Sequence, residues 1–332
     1  MSVRIAPSAP RLRAFIARSG KDAGSAADRL GDGVLRGLCV FAALLALLAL
    51  LALAYEVFNG ASLAIGHFGP GFLVHTTWAP NFSIFGAGVL LFGTVVTSAM
   101  AMVLAVPLGV AIALYLSMVA PARVRGIVGP MVEMLAAIPS VILGFWGILV
   151  LAPFLPKHLE PFLHSVLGFL PIFGPAQTTG ASLFTAGLIL TIMVLPIVAS
   201  ISRDLFLTVP QEMKDGAIAL GSTRWEVVRG VVLPSTASGV VAASFLGLGR
   251  ALGEAIAVAQ VIGGGKAIFA SLFNPGDTLA SKIAIEASGT INKLQTSSLF
   301  YCGAMLLVIG LIVNLTAQVI TRRFETHRVA AR

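Results

Sequence analysis

Six long apolar stretches, separated by short polar and basic segments, dominate the sequence. A helix needs about 20 predominantly apolar residues to cross the roughly 30 Å hydrocarbon core of a bilayer, and each stretch is about that long or longer. The pattern therefore predicts an all-α polytopic membrane protein. Its six transmembrane helices are expected at residues 38–57, 87–118, 129–155, 183–201, 239–264 and 298–320.

One further apolar region, residues 152–179, does not fit a span. It is interrupted by five prolines, and proline removes helical hydrogen bonds and clashes with the preceding turn. We expect it to form a folded loop that lies at the membrane surface.

Composition excludes a soluble protein. The 332-residue chain is 57% apolar and 11% charged, with a mean hydropathy of +0.96. An average soluble domain is about 25% charged, and a soluble protein so poor in charge would expose large apolar patches and aggregate.

Lysine and arginine are distributed unevenly between alternate loops. Of 22 such residues, 17 fall on one side of a six-span topology, so the formal net charge of +8 reflects topology rather than a nucleic-acid partner. Because basic residues mark cytoplasmic loops, both termini are predicted to be cytoplasmic. The chain then divides into a basic tail at residues 1–36, expected to be disordered, a transmembrane domain at 37–321 and a C-terminal cytoplasmic tail at 322–332.

The fifth stretch carries a charged pair predicted to lie deep in the membrane. Arg250 is the one basic residue within a span, and Glu254 follows four residues later, on the same face of a continuous helix where the two could pair. Charge at this depth is costly, so it usually faces a cavity or a substrate route. A guanidinium also offers a fork of donors suited to tetrahedral oxyanions. We predict that both residues line a substrate path, the alternative being an ion pair that ties helices together.

Glycines and prolines indicate where spans approach closely or bend. Gly249 and Gly253 have the G-x-x-x-G spacing that permits close helix packing. Pro107, Pro139 and Pro196 each lie inside a predicted span and remove a helical hydrogen bond, which favours a kink or a role in lining a path.

The loop at residues 203–234 has a different character from the spans around it. Pro210, closely followed by Glu212, is typical of a helix start. The apolar spacing then predicts a short helix, a break at Gly221 and a second helix. Such a cytoplasmic hairpin is suited to docking a partner, the alternative being an amphipathic hairpin that only lies on the surface.

Residues for nucleotide or metal chemistry are missing from the pattern. The run Gly263–Lys266 lacks the spacing and the hydroxyl residue of a phosphate-binding loop, and neither the histidines nor Cys39 and Cys302 have metal-like spacing. We expect a non-catalytic transport subunit that binds no metal and no cofactor, with any nucleotide chemistry on another chain.

The hairpin resembles the EAA loop of bacterial ABC importer permeases, whose pattern is E-A-A, three residues, Gly, nine residues and I-x-L-P. The spacing is kept throughout, while Asp215, Gly216 and Val231 replace Glu, Ala and Ile. By this resemblance the coupling loop to the ATPase comprises Asp215, Gly216, Ala217, Gly221, Leu233 and Pro234.

Other segments resemble the permeases of phosphate importers within that family. They include Leu246–Glu254, which reads L-G-L-G-R-A-L-G-E, as well as 138–141, 220–228, 271–276 and 278–281. The resemblance implies a type I importer permease (MetI-like) fold in the bacterial inner membrane, and it matches Arg250 and Glu254 to residues required for phosphate passage. It also implies three partners: a second permease subunit, a dimeric ATPase that holds ATP and Mg, and a periplasmic phosphate-binding protein.

Three alternatives stay open at this point. The chain could serve another oxyanion such as sulfate or molybdate. An ATP-independent secondary transporter would show interrupted segments repeated in two matching halves, which the sequence lacks. A membrane scaffold without transport activity would have no use for a deep Arg–Glu pair.

Overall fold

Helices long enough to cross a membrane make up most of the structure, a computed structural model that describes the backbone of residues 26–329 and the side chains of residues 31–323. Within this part, five helices have the length and hydropathy of a span, and a sharply bent helix pair adds a sixth if both limbs form one crossing. The predicted all-α membrane class is confirmed.

The helices follow one another with few other regular elements between them. In chain order they are α1 (Ala26–Phe68), α2 (Gly88–Val119), α3 (Ala122–Ala136), α4 (Ser140–Phe154), α5 (Leu159–Leu167), α6 (Leu183–Leu207), α7 (Gln211–Ala219), α8 (Arg224–Gly253), α9 (Ile256–Val261), α10 (Leu279–Glu286) and α11 (Lys293–Val329).

The chain divides after Glu56 into two units. In the first, α1 begins at Ala26, inside the segment predicted to be a disordered tail, and the earlier part of that tail lies outside the described residues. In the second, α1 continues past residue 57 as far as Phe68, where Gly69 follows with a φ of +54°. A glycine in this left-handed conformation commonly ends a helix. Helix α11 likewise continues through the predicted C-terminal tail to Val329.

Helix α6 forms the centre of the second unit. Its Ile189, Val194 and Val198 are fully buried and belong to a core shared with α2, α8 and α9. Small residues let the neighbouring backbones approach: a Cβ at Gly109 of α2 would lie 3.1 Å from the Val198 side chain, and one at Gly247 of α8 would lie 2.7 Å from Val194. Close packing at small residues is the main source of helix association in lipid, where apolar burial gives little driving force.

The third predicted span, residues 129–155, is bent rather than continuous. Helices α3 and α4 meet at an angle of 93°, and Pro139 lies directly before the first residue of α4. Proline lacks an amide hydrogen and disfavours helical backbone in the residue before it, so the chain turns at this point. A kink is one of the two roles that the sequence indicates for Pro139, and the structure shows it as a sharp bend between two helices.

The proline-rich region 152–179 is folded, as expected, but around a helix that the pattern did not predict. Glu160 of α5 is fully buried, and its Oε2 accepts a hydrogen bond from the Gln177 N–H at 3.2 Å. Burial raises the pKa of Glu160 above its ordinary value, although this hydrogen bond opposes the shift.

Candidate functional site

A cavity of about 1100 Å³ lies between α6, α8 and α11 in the part of the chain that the structure describes. Arg250, near the end of α8, and Glu254, just beyond it, both line this cavity. Asn314, Gln318 and Arg322 of α11 line it as well, among mostly small or apolar residues. The structure therefore brings the two predicted path residues to one cavity and adds polar residues from the last helix.

Arg250 and Glu254 do not share a helical face. Helix α8 ends at Gly253, and Glu254 has an extended backbone with φ −72° and ψ 117°. Its Oε1 accepts a hydrogen bond from the Ala257 N–H at 3.3 Å, beside the start of α9. No ion pair joins Arg250 to Glu254 among the described residues, so the predicted pairing is wrong. The guanidinium of Arg250 is instead exposed to the cavity.

The G-x-x-x-G spacing of Gly249 and Gly253 does not mark a helix contact. An added Cβ at either glycine would meet nothing within 4 Å, and both residues line the cavity. Among the described residues no helix of this chain approaches these glycines, which leave the wall beside Arg250 free of side chains.

At the N-terminal end of α8, the loop at 203–234 forms the predicted helix–Gly–helix hairpin. Gly221 has a φ of +90°, a conformation that glycine adopts without the steric cost of a side chain. The next helix begins with a capping box, in which Thr223 Oγ1 accepts from the Glu226 N–H at 3.3 Å and Glu226 Oε2 accepts from the Thr223 N–H at 2.7 Å. The second helix of the hairpin is not a separate element, since it is the start of α8.

Helix α8 passes through Pro234 without ending. A proline inside a helix has no amide hydrogen and clashes with the carbonyl four residues earlier. Directly before it, Val228–Val232 form a π-helical turn, which shifts the hydrogen-bonding pattern by one residue. The hairpin and the span are thereby joined into one continuous helix.

The six predicted coupling residues lie along this hairpin and its junction with the span. Three of them, at 215–217, are within α7, Gly221 is in the turn, and Leu233 and Pro234 follow the π turn. The Asp215 Oδ1 accepts a hydrogen bond from Gln211 Nε2 at 2.9 Å.

The hairpin has an exposed tip and an anchored base. Leu220 is 91% exposed and Trp225 is 64% exposed, whereas Lys214 is only 7% exposed. The Lys214 Nζ donates a hydrogen bond to the Phe206 carbonyl at 3.3 Å, in the last turn of α6. A cation is favoured there because helix C-termini carry partial negative charge and free carbonyls.

Comparison with known proteins places these features in a family. Residues 105–326 match the family described as binding-protein-dependent transport system inner membrane components. This chain belongs to that family. It is therefore a multi-pass, non-catalytic permease of the inner membrane that works with an ATPase and a periplasmic binding protein.

Individual relatives match this permease over most of its length. It is 41% identical over 315 residues to the phosphate transport system permease protein PstC of Mesorhizobium japonicum, covering 93% of this chain and 96% of the relative. It is 42% identical over 291 residues to PstC of Pasteurella multocida, covering 86% and 90%.

Solved structures show the same fold. A bacterial alginate ABC transporter, in complex with its alginate-bound periplasmic protein, matches with a TM-score of 0.60 at 16% identity, over 89% of this chain and 98% of that one. The inward-facing MetNI methionine transporter matches with a TM-score of 0.51 at 20% identity, over 72% and 94%. The predicted MetI-like importer fold is confirmed.

Away from the cavity, this permease contains a partly buried ion network that the sequence analysis missed, in which Asp277 is the buried member. Lys282 Nζ lies 3.3 Å from Asp277 Oδ2 and 2.8 Å from Glu286 Oε1. Glu286 Oε2 accepts hydrogen bonds of 2.9 Å from Trp78 Nε1 and from Gln295 Nε2. The network joins the loop before α2 to α10 and to the start of α11. Only the i, i+4 spacing of Lys282 and Glu286 signals it in the sequence.

Lys282 and Glu286 stabilise each other's charged form, whereas at Asp277 burial outweighs the neighbouring lysine and raises the pKa of the carboxyl. Burial disfavours the charged form of Lys282, but the hydrogen bond from it to Glu286 and the two neighbouring carboxylates outweigh burial and raise its pKa. For Glu286 burial is likewise outweighed, by hydrogen bonds from Lys282, Gln295 and Trp78, and its pKa is lowered. Lys282 and Glu286 are therefore both ionised at neutral pH.

A second ion pair fixes α3 to α6. Arg203 Nη1 lies 2.8 Å from Glu133 Oε1. A Cβ on Gly129 would lie 3.0 Å from Arg203 Nη1, so the small residue leaves room for the guanidinium.

Proposed function

We propose that this chain is the transmembrane permease subunit of an ATP-driven importer that moves inorganic phosphate from a periplasmic binding protein into the cytoplasm. Arg250, exposed in a cavity between apolar helices, is the observation that carries the proposal. The names of the relatives from Mesorhizobium japonicum and Pasteurella multocida support phosphate as the substrate.

Arg250 and Glu254 line the substrate path in this proposal, with separate roles. The guanidinium presents several donors in one plane to the oxygens of a tetrahedral anion. Because Glu254 does not pair with it, the positive charge of Arg250 is not neutralised by this neighbour. An uncovered guanidinium binds an anion more strongly than one already engaged by a carboxylate.

Glu254 favours phosphate over sulfate. A carboxylate oxygen accepts hydrogen bonds, and inorganic phosphate still carries a proton near neutral pH that it can donate. Sulfate has no such proton, so a carboxylate beside it only repels. The hydrogen bond from Ala257 engages one oxygen of Glu254 and leaves the group further acceptor capacity.

The partners follow from the same proposal. A second permease subunit, PstA, would complete the path, a dimer of the ATPase PstB would bind ATP and Mg, and the phosphate-binding protein PstS would deliver the substrate. The hairpin with its exposed Leu220 and Trp225 supports its assignment as the coupling loop to PstB, through Asp215, Gly216, Ala217, Gly221, Leu233 and Pro234.

Reconstitution of the complete importer in proteoliposomes tests the function. We expect labelled phosphate to accumulate only when ATP and the phosphate-binding protein are both present, and an excess of sulfate or molybdate to leave the rate unchanged. Uptake of sulfate or molybdate in place of phosphate would contradict the substrate. Uptake that persists without the ATPase would indicate a secondary transporter and overturn the proposal.

Two glycine substitutions in the hairpin should have opposite effects on ATPase docking. A Cβ would meet nothing within 4 Å at either Gly221 or Gly216, so only backbone preference distinguishes the two sites. Gly221→Ala forces alanine into a left-handed conformation, which costs about 1–2 kcal/mol, and should weaken association with the ATPase by roughly tenfold. Gly216→Ala, inside α7, favours the helix by about 1 kcal/mol and should preserve or strengthen association.

Co-purification of the ATPase with each variant, at matched membrane expression, gives the measurement. Equal recovery with Gly221→Ala and with the unaltered chain would count against the docking role of this hairpin.

A further inference from the structure

A row of polar residues runs along one side of the otherwise apolar helix α11. Asn314, Gln318, Thr321 and Arg322 all line the cavity that holds Arg250. The first two are four residues apart, so they lie on the same helical face one turn apart. An 18-residue window of this helix has a mean hydropathy of 2.2, so two amides on one face are an exception to the apolar character of the helix.

These two amides are not used by the chain itself. Both side chains are exposed, and no hydrogen bond from a described residue reaches either of them. Polar groups within a bilayer normally face the bundle interior, another chain or a water-filled cavity, because lipid tails offer no hydrogen bonds. Asn314 and Gln318 therefore require water, a hydrogen-bonding substrate or a partner chain in this cavity.

The direction of α11 places the amides after Arg250 on the way to the cytoplasm. Consecutive crossings run in opposite directions, so α11 runs towards the end of the bundle at which α8 begins, and the row from Asn314 to Arg322 leads towards the hairpin. All of these residues line the same cavity. At 1.5 Å per residue, the row from Asn314 to Arg322 extends for roughly 12 Å along the helix.

We propose that Asn314 and Gln318 form a second, uncharged phosphate-contact position between Arg250 and the cytoplasm. This inference rests on the proposed function of the cavity as a phosphate path. Amide NH₂ groups donate hydrogen bonds to phosphate oxygens without a full charge, so they hold the anion more weakly than a guanidinium does. Passage through a membrane requires contacts strong enough to admit an ion and weak enough to release it, and neutral donors after a cationic one meet that requirement.

Cysteine accessibility in the assembled importer tests this assignment. Asn314→Cys and Gln318→Cys are each introduced into a Cys39→Ala parent. Cys302 is fully buried and is retained, and the parent without a new cysteine gives the background reaction. A sulfonate-bearing methanethiosulfonate is the probe, with nucleotide absent. We expect both positions to react, and inorganic phosphate to slow the reaction at least several-fold.

The matched control is Thr316→Cys on the same helix, because Thr316 is exposed but bonds to the Ile312 carbonyl and does not line the cavity. Phosphate should not change its reaction rate.

The outcomes separate this inference from the proposed function. If sulfate or molybdate slows modification of the two cysteines and phosphate does not, the amides lie in an anion path. The proposal that phosphate is the substrate of that path would then be wrong. If neither cysteine reacts until the second permease subunit is removed, both positions contact that subunit. This result would overturn the inference and leave the proposed role of Arg250 intact.

A second variant pair tests the inference without a reagent. Gln318→Leu should lower phosphate uptake by about tenfold, and Gln318→Glu, which keeps the shape but adds negative charge, should lower it further. The control Thr316→Leu, at a residue that does not line the cavity, should leave uptake, assembly and basal ATP hydrolysis unchanged. Uptake by Gln318→Glu equal to that of the unaltered chain would overturn the inference.

Discussion

Arg250→Gln is expected to reduce phosphate uptake by roughly 10- to 100-fold in the reconstituted importer. The substitution keeps a hydrogen-bonding side chain, although a shorter one, and removes the charge and the planar fork. A hydrogen bond to a charged group contributes about 1.5–3 kcal/mol, and each 1.4 kcal/mol corresponds to about a tenfold change in binding. No described residue forms an ion pair with this guanidinium, so little structural stability should be lost with it.

Two further variants make the result interpretable. Gly249→Ala adds a methyl group to the same cavity wall at a position where a Cβ meets nothing within 4 Å, and it should transport normally. Arg250→Lys keeps the charge without the fork and should recover part of the activity. Phosphate uptake that survives Arg250→Gln unchanged, with normal assembly, would remove Arg250 from the path.

Lys282→Met should destabilise the permease by about 3 kcal/mol or more, since removing one partner of a buried ion pair leaves an uncompensated charge. The Asp277 side chain is 2% exposed and depends on Lys282 as its neighbouring cation, while Glu286 loses its shortest contact, 2.8 Å. Thermal unfolding of the detergent-solubilised importer, followed by loss of the folded permease, measures the effect as a lowered midpoint.

Lys266→Met is the matched control for this loss. Lys266 is exposed and forms no ion pair with a described residue, so its removal should change the midpoint little. Adding Asp277→Asn to Lys282→Met removes the stranded carboxylate and should restore part of the stability. An equal loss for Lys266→Met and Lys282→Met would show that the network is not a stabilising element.

The apolar pattern predicts the helical membrane fold because hydropathy over about 20 residues is a local property of the sequence. It predicts α6 well, since residues 183–201 lie within the observed Leu183–Leu207. It does not predict where helices end inside an apolar stretch. The i, i+4 pairing of Arg250 and Glu254 assumed a continuous helix, whereas the chain leaves the helix after Gly253. Gly253 favours a helix end at this position, because glycine is among the weakest helix formers.

The bend at Pro139 and the network around Lys282 differ in how far the sequence predicts them. The bend has a local cause, a proline and its effect on the preceding residue, so the sequence indicates a kink at this point, although not its angle of 93°. The network depends on Trp78, which lies 208 residues before its partner Glu286. A contact of that separation follows from how the helices pack, and one sequence read for local pattern does not reveal it.

The buried hydrogen bond from Lys214 to the Phe206 carbonyl fixes the hairpin that we propose as the coupling loop to the end of α6. A displacement of the exposed tip at Leu220 would be transmitted to the membrane helices. The base of the hairpin is hydrogen-bonded to the last turn of α6, and its second arm is continuous with α8. Both connected helices border the cavity, through Ile197 on α6 and Arg250 on α8. A displacement of the hairpin at the cytoplasmic surface would therefore change the width of the cavity at Arg250. Movement of the ATPase and a change in anion binding at Arg250 would then occur together.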